Sequence, residues 1–475
     1  MNQQLILQSQ TVVDLPRSEV FALFGAEEAA SWLFGARCDR IAVGAPVRVR
    51  LPLEPHAAFS VELLGRFTRV RPTLIAVEHH QPWRGELRIT FESLDPFRTR
   101  VRIRARLDSA GVDWLVRRMG LVLPDPAPTE SIRVGIMTSK SGPGAIYSIG
   151  VEHMAELAVE EINADGGVNG RPLEIMVVDD ATDPVQAAVE ATRMARAGCR
   201  AIFACTTSEC FLAATAAVRG HDVLMVQPVI NEGGAESDTV VRFGERPIAQ
   251  IGALAEPMMR AARGRRWFLM GHQYSWSFGA HNAARSVLSD KSGTVVGEYL
   301  TPLGTTDFTA AIEQIEASGA DIVMSSLIGS DEVAFQRQYA TAGSRESSLM
   351  LSLVMDESTH AHIGETGSDG IWTALGYFEE TGELDNKALV SQYRDKYGRW
   401  APPITSLSET VYEAVLQYAH VLAVSPDSDA RHHAGALRAR RRLGRDSVGA
   451  RDLFSQRLFL ARSEVGSLHI FDRTP

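Results

Sequence analysis

The sequence has little cysteine, and this shortage excludes two classes of protein. Its 475 residues include only four cysteines, at Cys38, Cys199, Cys205 and Cys210. None of them forms a CxxC pair, and no histidine cluster accompanies them. A disulfide framework and a structural zinc site are therefore both disfavoured. We expect free and mostly buried thiols in a reduced compartment, and no bound metal.

Lysine is almost as scarce, so nearly all positive charge is arginine. The formal net charge is −10, and the excess of acids lies after residue 130. Such an acidic chain argues against nucleic acid as a partner. One basic run covers Arg438–Arg442 and continues at Arg445, without interleaved aromatic residues. It is more typical of a solvated helix face than of a nucleic-acid contact.

Long apolar runs are also missing, and this bears on location. No stretch approaches the ~18 uninterrupted apolar residues of a membrane span. We therefore expect no direct membrane insertion. The segment Met1–Val13 lacks a basic region and has only Leu5-Ile6-Leu7 as an apolar core, so no export signal is visible. The expected location is cytoplasmic, with a periplasmic or extracellular one only through an unrecognised export route.

The chain is too long for one ordinary domain, and its composition shows where to divide it. Residues 123–130 form a proline-rich linker, which is stiff and extended. This places one unit at residues 1–122 and a second at 131–475. We expect two lobes in the second unit. Their boundaries are approximate, with lobe 1 at 131–245 plus 376–425 and lobe 2 at 246–375 plus 426–475.

Strand patterns dominate the first unit. The segment Thr99–Leu107 alternates, with apolar side chains on one face and Arg100, Arg102, Arg104 and Arg106 on the other. This predicts an antiparallel sheet with one face in water. We interpret the arginine row as that solvated face, with anion binding as the alternative.

The order of strand, two short helices, antiparallel strands and final helix resembles the START-like (SRPBCC) helix-grip domains. The resemblance depends on Pro16–Phe24, Trp32, the Pro82-Trp83-x-Gly85 turn and Gly111–Leu115. It implies an α+β domain with a long final helix and a hydrophobic cavity. Here Pro124 ends that helix early, so we expect the cavity to be incompletely closed.

After residue 131 strands and helices alternate. The strand Ile132–Met137 is continuously apolar, and Gly150–Asn163 has helical periodicity. Another helix begins with Asp183 as N-cap, Pro184 at its first position and Gln186 completing a capping box. Alternation of this kind predicts parallel sheets covered by helices, in a two-lobed α/β (Rossmann-like) arrangement.

Several motifs follow one another in a characteristic order in this second unit. They are Ile132–Ile136, Ser141-Gly142-Pro143, Glu160–Pro172, Asp179–Pro184, Pro228 and Asn231–Gly234. As an ordered set they resemble the type I periplasmic binding protein fold. The branch they match best is that of the branched-chain amino acid, amide and urea receptors, the substrate-binding proteins of ABC transporters.

The physical logic of this fold indicates where a ligand would bind. Ligands of open α/β sheets lie beyond the carboxyl ends of the strands, where helix N-termini offer N–H groups. Ser141 follows the first strand, and Ser208 follows the strand Ala201–Cys205 and opens a helix. Their hydroxyls suit a carboxylate or carbonyl oxygen. The alternative for Ser208 is that it is only an N-cap.

The resemblance adds four more candidates for ligand binding, namely Tyr147, Gln227, Tyr274 and Trp276. Aromatic residues of this kind supply apolar area together with a polar group, although ordinary loop packing is an alternative for them. The chain departs from the amide and urea branch at Thr206 and near Gln227, and both departures make the cleft more polar. Asp356 or Glu357 could receive an ammonium group or be a solvated loop acid, and the sequence leaves that choice open.

Catalytic motifs are missing. No HExxH, GxSxG, Walker or dinucleotide glycine pattern occurs, so we expect neither catalytic residues nor a cofactor. The hypothesis is a non-catalytic receptor for a small polar ligand (an amino acid, an amide or a urea-like compound), acting as a cytosolic sensor with a regulatory protein partner. One alternative is the substrate-binding protein of an ABC importer, whose partner is the permease. Another is a helix-grip lipid carrier or cyclase-like enzyme regulated by the receptor. A homo-oligomer remains open.

Overall fold

Three β-sheets organise the chain. The computed structural model describes residues 5–24, 36–52, 60–81, 83–107, 131–234, 237–381, 384–443, 457–464 and 466–474. A six-stranded antiparallel sheet belongs to the N-terminal unit, and sheets of five and seven strands form the two lobes that follow. Among the described helices, none is long and apolar enough to cross a membrane.

The N-terminal sheet has the strand order β1-β6-β5-β4-β3-β2. Its elements are β1 (Leu5–Val13), α1 (Arg17–Ala22), β2 (Pro46–Pro52), β3 (Ser60–Arg71), β4 (Leu74–Gln81), β5 (Gly85–Asp95) and β6 (Arg98–Leu107). All neighbouring strands are antiparallel, which confirms the predicted sheet. Val20 and Phe24 pack with Ile89 and Val101 in its apolar core.

The helix-grip assignment of this unit stays a prediction. Trp32, Pro82 and the expected final helix from Gly111 lie outside the described residues. The row Arg100, Arg102, Arg104 and Arg106 was expected to be solvated, and its side chains are 23–39% exposed. Arg104 lies beside Asp165 of the second unit, whereas the other three pair with Glu92 or Glu86 of the same sheet. On the same face, Arg88 of β5 is only 5% exposed and also lies beside Asp165. The arginine face is therefore partly solvated and partly covered by the second unit.

The first lobe is built on a parallel sheet of order β11-β10-β9-β7-β8. Its strands are β7 (Ile132–Thr138), β8 (Leu173–Asp179), β9 (Ala201–Cys205), β10 (Leu224–Gln227) and β11 (Val240–Arg242). The helices that cover it are α2 (Ser148–Ala164), α3 (Pro184–Arg196) and α4 (Ser208–Ala217). Local signals worked well here: the Asp183 side chain accepts a hydrogen bond from the Gln186 amide, 2.8 Å long, as the predicted N-cap.

The second lobe contains a seven-stranded sheet of order β13-β12-β14-β15-β16-β17-β18, antiparallel only at its last two pairs. Its helices are α5 (Pro247–Ala262), α6 (Ser275–Asp290), α7 (Thr309–Ser318), α8 (Gly329–Thr341), α9 (Glu357–Ile363) and α10 (Glu365–Ser368). Its strands are β12 (Arg266–His272), β13 (Thr294–Thr301), β14 (Ile322–Ser325), β15 (Leu349–Ser352), β16 (Ile371–Leu375), β17 (Phe459–Glu464) and β18 (Ser467–Arg473). The predicted two-lobed α/β architecture is confirmed.

Three helices return to the first lobe: α11 (Leu384–Tyr397), α12 (Ser406–Val424) and α13 (Ala430–Leu443). The position of α13 differs from the sequence prediction, which assigned residues after 425 to the second lobe. Ala430, Ala434 and Leu437 of α13 belong to the apolar core of the first lobe. Their apolar spacing along the helix gave no indication of which lobe they would pack against.

Glu245 holds the crossover segments between the lobes together. It lies between β11 of the first lobe and α5 of the second, and it is buried. Its Oε1 accepts hydrogen bonds from the Gly376 amide (2.6 Å) and from the Ser406 hydroxyl. Its backbone oxygen accepts one from the Asn231 amide at 3.2 Å. One side chain thereby connects both described crossovers to the start of α12.

Candidate ligand-binding site

The two lobes meet at loops that follow the carboxyl ends of their parallel strands. Tyr147 ends a 3₁₀ helix after β7, and its hydroxyl oxygen accepts a hydrogen bond from the Gly329 amide, 3.2 Å long. The same hydroxyl lies 3.3 Å from the Thr359 hydroxyl. Gly329 follows β14 and Thr359 follows β15, both in the second lobe. Tyr147 therefore bridges the cleft from the side where α/β sheets bind ligands.

Two further close approaches beside Tyr147 bring the lobes into direct contact. The Ser358 hydroxyl donates to the Ile146 carbonyl oxygen at 3.1 Å. Gly329 has a φ of +60°, and a Cβ at this position would overlap the Pro143 carbonyl. Glycine is required here both for its backbone conformation and for the close approach of the other lobe. The described arrangement is thus a closed one.

Ser208 faces a carboxylate of its own lobe. Thr207, not Ser208, is the N-cap of α4, since its hydroxyl accepts from the Cys210 amide. The interpretation of Ser208 as a mere cap is therefore wrong. Its hydroxyl donates to Oε2 of Glu232 at 2.6 Å. Glu232 in turn lies against α6 of the second lobe, because a Cβ on Gly279 would overlap its side chain.

Tyr274 approaches this pair from the second lobe. It precedes α6 and is buried. Burial raises the pKa of its hydroxyl well above the ordinary value, and the negative charge of Glu232 raises it further. For Tyr147, burial and then the charge of Asp356 raise the pKa in the same way. Both phenols therefore stay protonated and serve as hydrogen-bond groups.

Asp356 and Glu357 lie at the start of α9, and neither is a solvated loop acid. Asp356 is fully buried; its Oδ1 accepts from the Thr359 amide at 2.8 Å. Oε1 of Glu357 accepts from the Glu379 amide at 2.6 Å. The second oxygen of each carboxylate is buried; that of Glu357 has no hydrogen-bond partner among the described residues, whereas the Thr405 side chain lies within reach of Asp356. Burial raises the pKa of both groups, and the charge of Asp356 adds to the effect on Glu357.

Three of the sequence-predicted site residues have partners elsewhere. Ser141 is exposed and donates to Asp179 at 2.7 Å. Oε1 of Gln227 accepts from Arg242 at 3.2 Å, at the edge of the first-lobe sheet. Trp276 is buried in the second-lobe core and donates to the Ser326 carbonyl oxygen at 2.8 Å. The structure thus brings together Tyr147, Ser208 and Tyr274, and leaves the other three as supports of their own lobes.

A buried carboxylate organises the first-lobe loops beneath the site. Oδ1 of Asp180 accepts from the Ser139 hydroxyl at 2.6 Å and from the Thr182 amide at 3.0 Å. The Thr206 hydroxyl donates to the other oxygen of Asp180. The loops after β7, β8 and β9 are therefore tied to one side chain. Because the Thr206 hydroxyl donates to Asp180, it is less available to a ligand than the sequence suggested.

Sequence reasoning missed Glu232, Gly329 and Thr359 as members of the site. Glu232 belongs to a recognised motif, but the direction of its side chain depends on the loop around Asn231. The buried side-chain amide of Asn231 donates hydrogen bonds to the Val229 and Phe243 carbonyl oxygens. For Gly329 and Thr359 the available signal was their position just after predicted second-lobe strands. Within the described residues, no group of three or more acids, histidines or cysteines is arranged to hold a metal ion.

Two α/β lobes that close over hydroxyls, phenols and buried carboxylates define a ligand-binding receptor of the two-lobed class. A family model described as periplasmic binding protein matches residues 131–455. The chain belongs to that family.

Individual relatives agree with this assignment. A Leu/Ile/Val-binding protein of Rhizobium johnstonii is 26% identical over 202 residues, which are 42% of this chain and 55% of the relative. A leucine-, isoleucine-, valine-, threonine- and alanine-binding protein of Pseudomonas aeruginosa is 24% identical over 65% of this chain and 83% of its own length. The aligned stretch thus spans only about half of the first of these curated relatives.

Solved structures show the same fold. A branched-chain amino acid transporter substrate-binding protein of Streptococcus pneumoniae, in complex with isoleucine, superposes with a TM-score of 0.62 at 18% identity. That match covers 73% of this chain and 99% of the other. A solute-binding protein of R. palustris in complex with 4-hydroxybenzoate gives a TM-score of 0.62 at 19% identity over 73% of this chain and 97% of its own.

Proposed function

We propose that this chain is the substrate-binding protein of an ABC importer and that its ligand carries an ammonium group, as amino acids do. The observation that carries the ligand proposal is the pair of buried carboxylates of Asp356 and Glu357, neither of which pairs with a positive side chain among the described residues. The importer role is supported by the names of the relatives, which are amino acid-binding and transporter-associated proteins. Those names describe binding proteins, which is consistent with a non-catalytic role.

The chemistry of the cleft favours a cation over an anion. A buried carboxylate without a partner is costly unless it is protonated or meets a positive group. An ammonium group near Asp356 would neutralise the charge of that acid while Tyr274 supplies aromatic contact. A carboxylate of the same ligand would suit the first-turn amides of α4, which have no partner within the helix. A neutral amide or urea-like ligand would leave the acids protonated, and a benzoate-type anion would meet repulsion.

The proposed location is the periplasm, where members of this family act. The expectation of a cytoplasmic sensor is not supported, because the matching family model is described as periplasmic binding protein. No described contact favours the helix-grip unit as a carrier or enzyme. The permease of an ABC importer is accordingly the proposed protein partner.

The first experiment is a thermal-shift and calorimetric screen of the full chain. The panel contains the common amino acids, their amides, their des-amino acids, urea and 4-hydroxybenzoate. A ligand at about 100 times its Kd should stabilise the protein by about 2.7 kcal/mol. We expect an amino acid to bind and its des-amino analogue to bind about 100-fold more weakly or worse, because the buried acids lose their cation.

Variants test whether the cleft is the site. Ser208→Ala combined with Tyr274→Ala removes a hydroxyl and an aromatic wall from opposite lobes, and should abolish binding. The matched control is Ser141→Ala, which removes a hydroxyl from an exposed residue of the first lobe. Unchanged affinity in the double variant would refute the proposed cleft. Uptake of the labelled ligand by the host with and without the gene then tests the importer role separately.

A further inference from the structure

The N-terminal sheet contacts the first lobe through a cluster of ion pairs centred on Glu161. Oε2 of Glu161 lies 2.7 Å from Arg69 and accepts a hydrogen bond from the Tyr412 hydroxyl at 2.6 Å. The backbone oxygen of Glu161 accepts from Arg88 at 3.1 Å. Arg71 reaches the same Tyr412 hydroxyl at 3.3 Å. Glu161, near the end of α2, therefore contacts side chains from β3, β5 and α12.

A second acid, one helical turn later, extends the cluster. Asp165 lies 3.5 Å from Arg88 and 4.0 Å from Arg104. Next to it, a Cβ built on Gly166 would lie 3.0 Å from Cδ1 of Ile6 on β1. The glycine turn after α2, which the sequence identified only as an architectural motif, is thus covered by the N-terminal sheet.

A third pair lies further along α12. His420 is 3.1 Å from Oε1 of Glu92 on β5, and Arg100 is 3.0 Å from the other oxygen of Glu92. The contact surface is therefore mixed in charge, with mainly arginines on the sheet and mainly acids on the lobe. Such complementarity fixes orientation and register between two surfaces.

All of these ion pairs lie far from the cleft. The helix α2 begins at Ser148, directly after the cleft residue Tyr147, and ends at Ala164. Its 17 residues span about 25 Å at 1.5 Å per residue. Glu161 and Asp165 lie at its far end, and α12 also belongs to the first lobe. The N-terminal sheet consequently sits on the base of that lobe and leaves the edge of the cleft uncovered.

The burial of these charges makes the contact selective. The side chains of Arg69 and Glu161 are 14% and 11% exposed, and that of Arg88 is 6% exposed. Charges removed from water to this degree are stable only with complementary partners. A reversed charge at such a site should therefore separate the surfaces, whereas a reversed charge on an exposed neighbour should not.

We propose that Arg69, Arg71, Arg88 and Arg104, on one face of the N-terminal sheet, form a docking surface for the acidic end of the first lobe of the same chain. The described N-terminal sheet then moves with the first lobe as one rigid body when the cleft opens and closes, and the sheet does not obstruct ligand entry. This proposal is independent of the ligand's identity. A second copy of the chain as the docking partner is the competing outcome.

The test uses the full chain with Glu161→Arg and, separately, Asp165→Lys. A lysine at the C-cap of α2 favours the helix dipole, so a loss of docking in that variant would not arise from a damaged helix. The matched control is Glu160→Arg, which makes the same charge change at the preceding residue. Glu160 is 60% exposed and pairs with Lys396 instead. Far-UV circular dichroism and ligand-binding affinity check that each variant is folded.

Amide hydrogen exchange and small-angle scattering give the result. We expect both docking variants to exchange about tenfold faster or more in peptides of β5 and of α12 around Tyr412, and to show a larger radius of gyration. The control should match the unmodified chain, and ligand affinity should stay within about twofold in all variants. Unchanged exchange and radius in both docking variants would overturn the proposal. So would a dimeric mass of the unmodified chain that becomes monomeric in the variants, since docking would then be between copies.

Discussion

The Gly329 amide donates a hydrogen bond to the Tyr147 hydroxyl, and this 3.2 Å contact joins the two lobes at the cleft. It pairs a side chain of the first lobe with the backbone that begins α8 of the second. The hinge-closing motion of two-lobed receptors requires contacts that exist only in the closed state. We expect Tyr147 and Gly329 to supply one such contact, and both can be changed without substituting an acid of the cleft.

Replacing Tyr147 with phenylalanine should weaken ligand binding about fivefold. The change removes the hydrogen bonds to Gly329 and Thr359, which together are worth about 1 kcal/mol in favour of closure. Calorimetric titration of the ligand measures the effect. Tyr339→Phe is the control, because that hydroxyl contacts Ser348 within the second lobe only. Equal affinities for the two variants would show that Tyr147 does not contribute to closure.

A side chain at position 329 should hold the lobes apart. In Gly329→Ala the new Cβ meets the Pro143 carbonyl of the other lobe, and we expect ligand affinity to fall about 10-fold to 100-fold. Gly343→Ala provides the comparison. Its φ is +77°, and nothing lies within 4 Å of the added Cβ, so it shares the backbone penalty without the clash. Scattering with saturating ligand should show a larger particle for Gly329→Ala alone. A compact particle in that variant would contradict the role given to Gly329.

Glu357 should make the ligand-free protein less stable as the pH rises. Burial raises its pKa in the folded state well above the ordinary value of 4.5, so its contribution is fully present below about pH 4.5 and is lost as the pH rises through the folded pKa. Glutamine mimics the protonated acid and keeps the acceptor for the Glu379 amide. We therefore expect Glu357→Gln to be about 1–3 kcal/mol more stable at pH 8 and less dependent on pH.

Denaturant unfolding between pH 4 and pH 8 measures the effect of Glu357→Gln. The exposed Glu365, on the neighbouring short helix α10, provides the control substitution Glu365→Gln. That variant should follow the pH profile of the unmodified chain. A parallel profile for Glu357→Gln as well would show that the carboxylate is not destabilising when ionised.

The four thiols should react with iodoacetamide in two classes. Cys38 is only partly buried, whereas Cys199, Cys205 and Cys210 are buried. Burial also raises the pKa of Cys199 to about 11 and that of Cys210 to about 12, so little thiolate forms at pH 8. We expect the reagent to label Cys38 first and the others only after unfolding, as followed by peptide mass spectrometry. Early labelling of Cys210 would mean that the first lobe opens locally.

Local and periodic signals were enough to predict much of the fold. The apolar run of β7, the helical stripe of α2 and the Asp183 cap each arise from residues close together in sequence, and the structure has all three. Alternating strands and helices then required parallel sheets, because parallel strands need a crossover. The two lobes followed from the length of that alternating region.

The candidate site was harder to predict because its contacts join distant residues. Ser208 and Glu232 are 24 residues apart, and Tyr147 and Gly329 are 182 apart. Hydrophobic periodicity describes residues that are close in sequence, so it could not predict contacts between such distant residues. Gln227 lies at the end of its strand as expected, but its side chain accepts a hydrogen bond from Arg242 on the neighbouring strand. The arginine face illustrates a related point: alternation shows which residues share a face, but not that Asp165 of the first lobe lies beside Arg104.

Covering that face also decides which charges the molecule presents to its surroundings. Arg69, Arg71, Arg88 and Arg104 face Glu161, Asp165 and Glu413 of the first lobe, and Glu86 of the sheet pairs with Arg88. Positive and negative charges at the contact are thereby closely balanced. The formal net charge of −10 is consequently carried by the rest of the molecule. An anionic lipid surface would repel it at low ionic strength, and an anion-exchange resin would retain it.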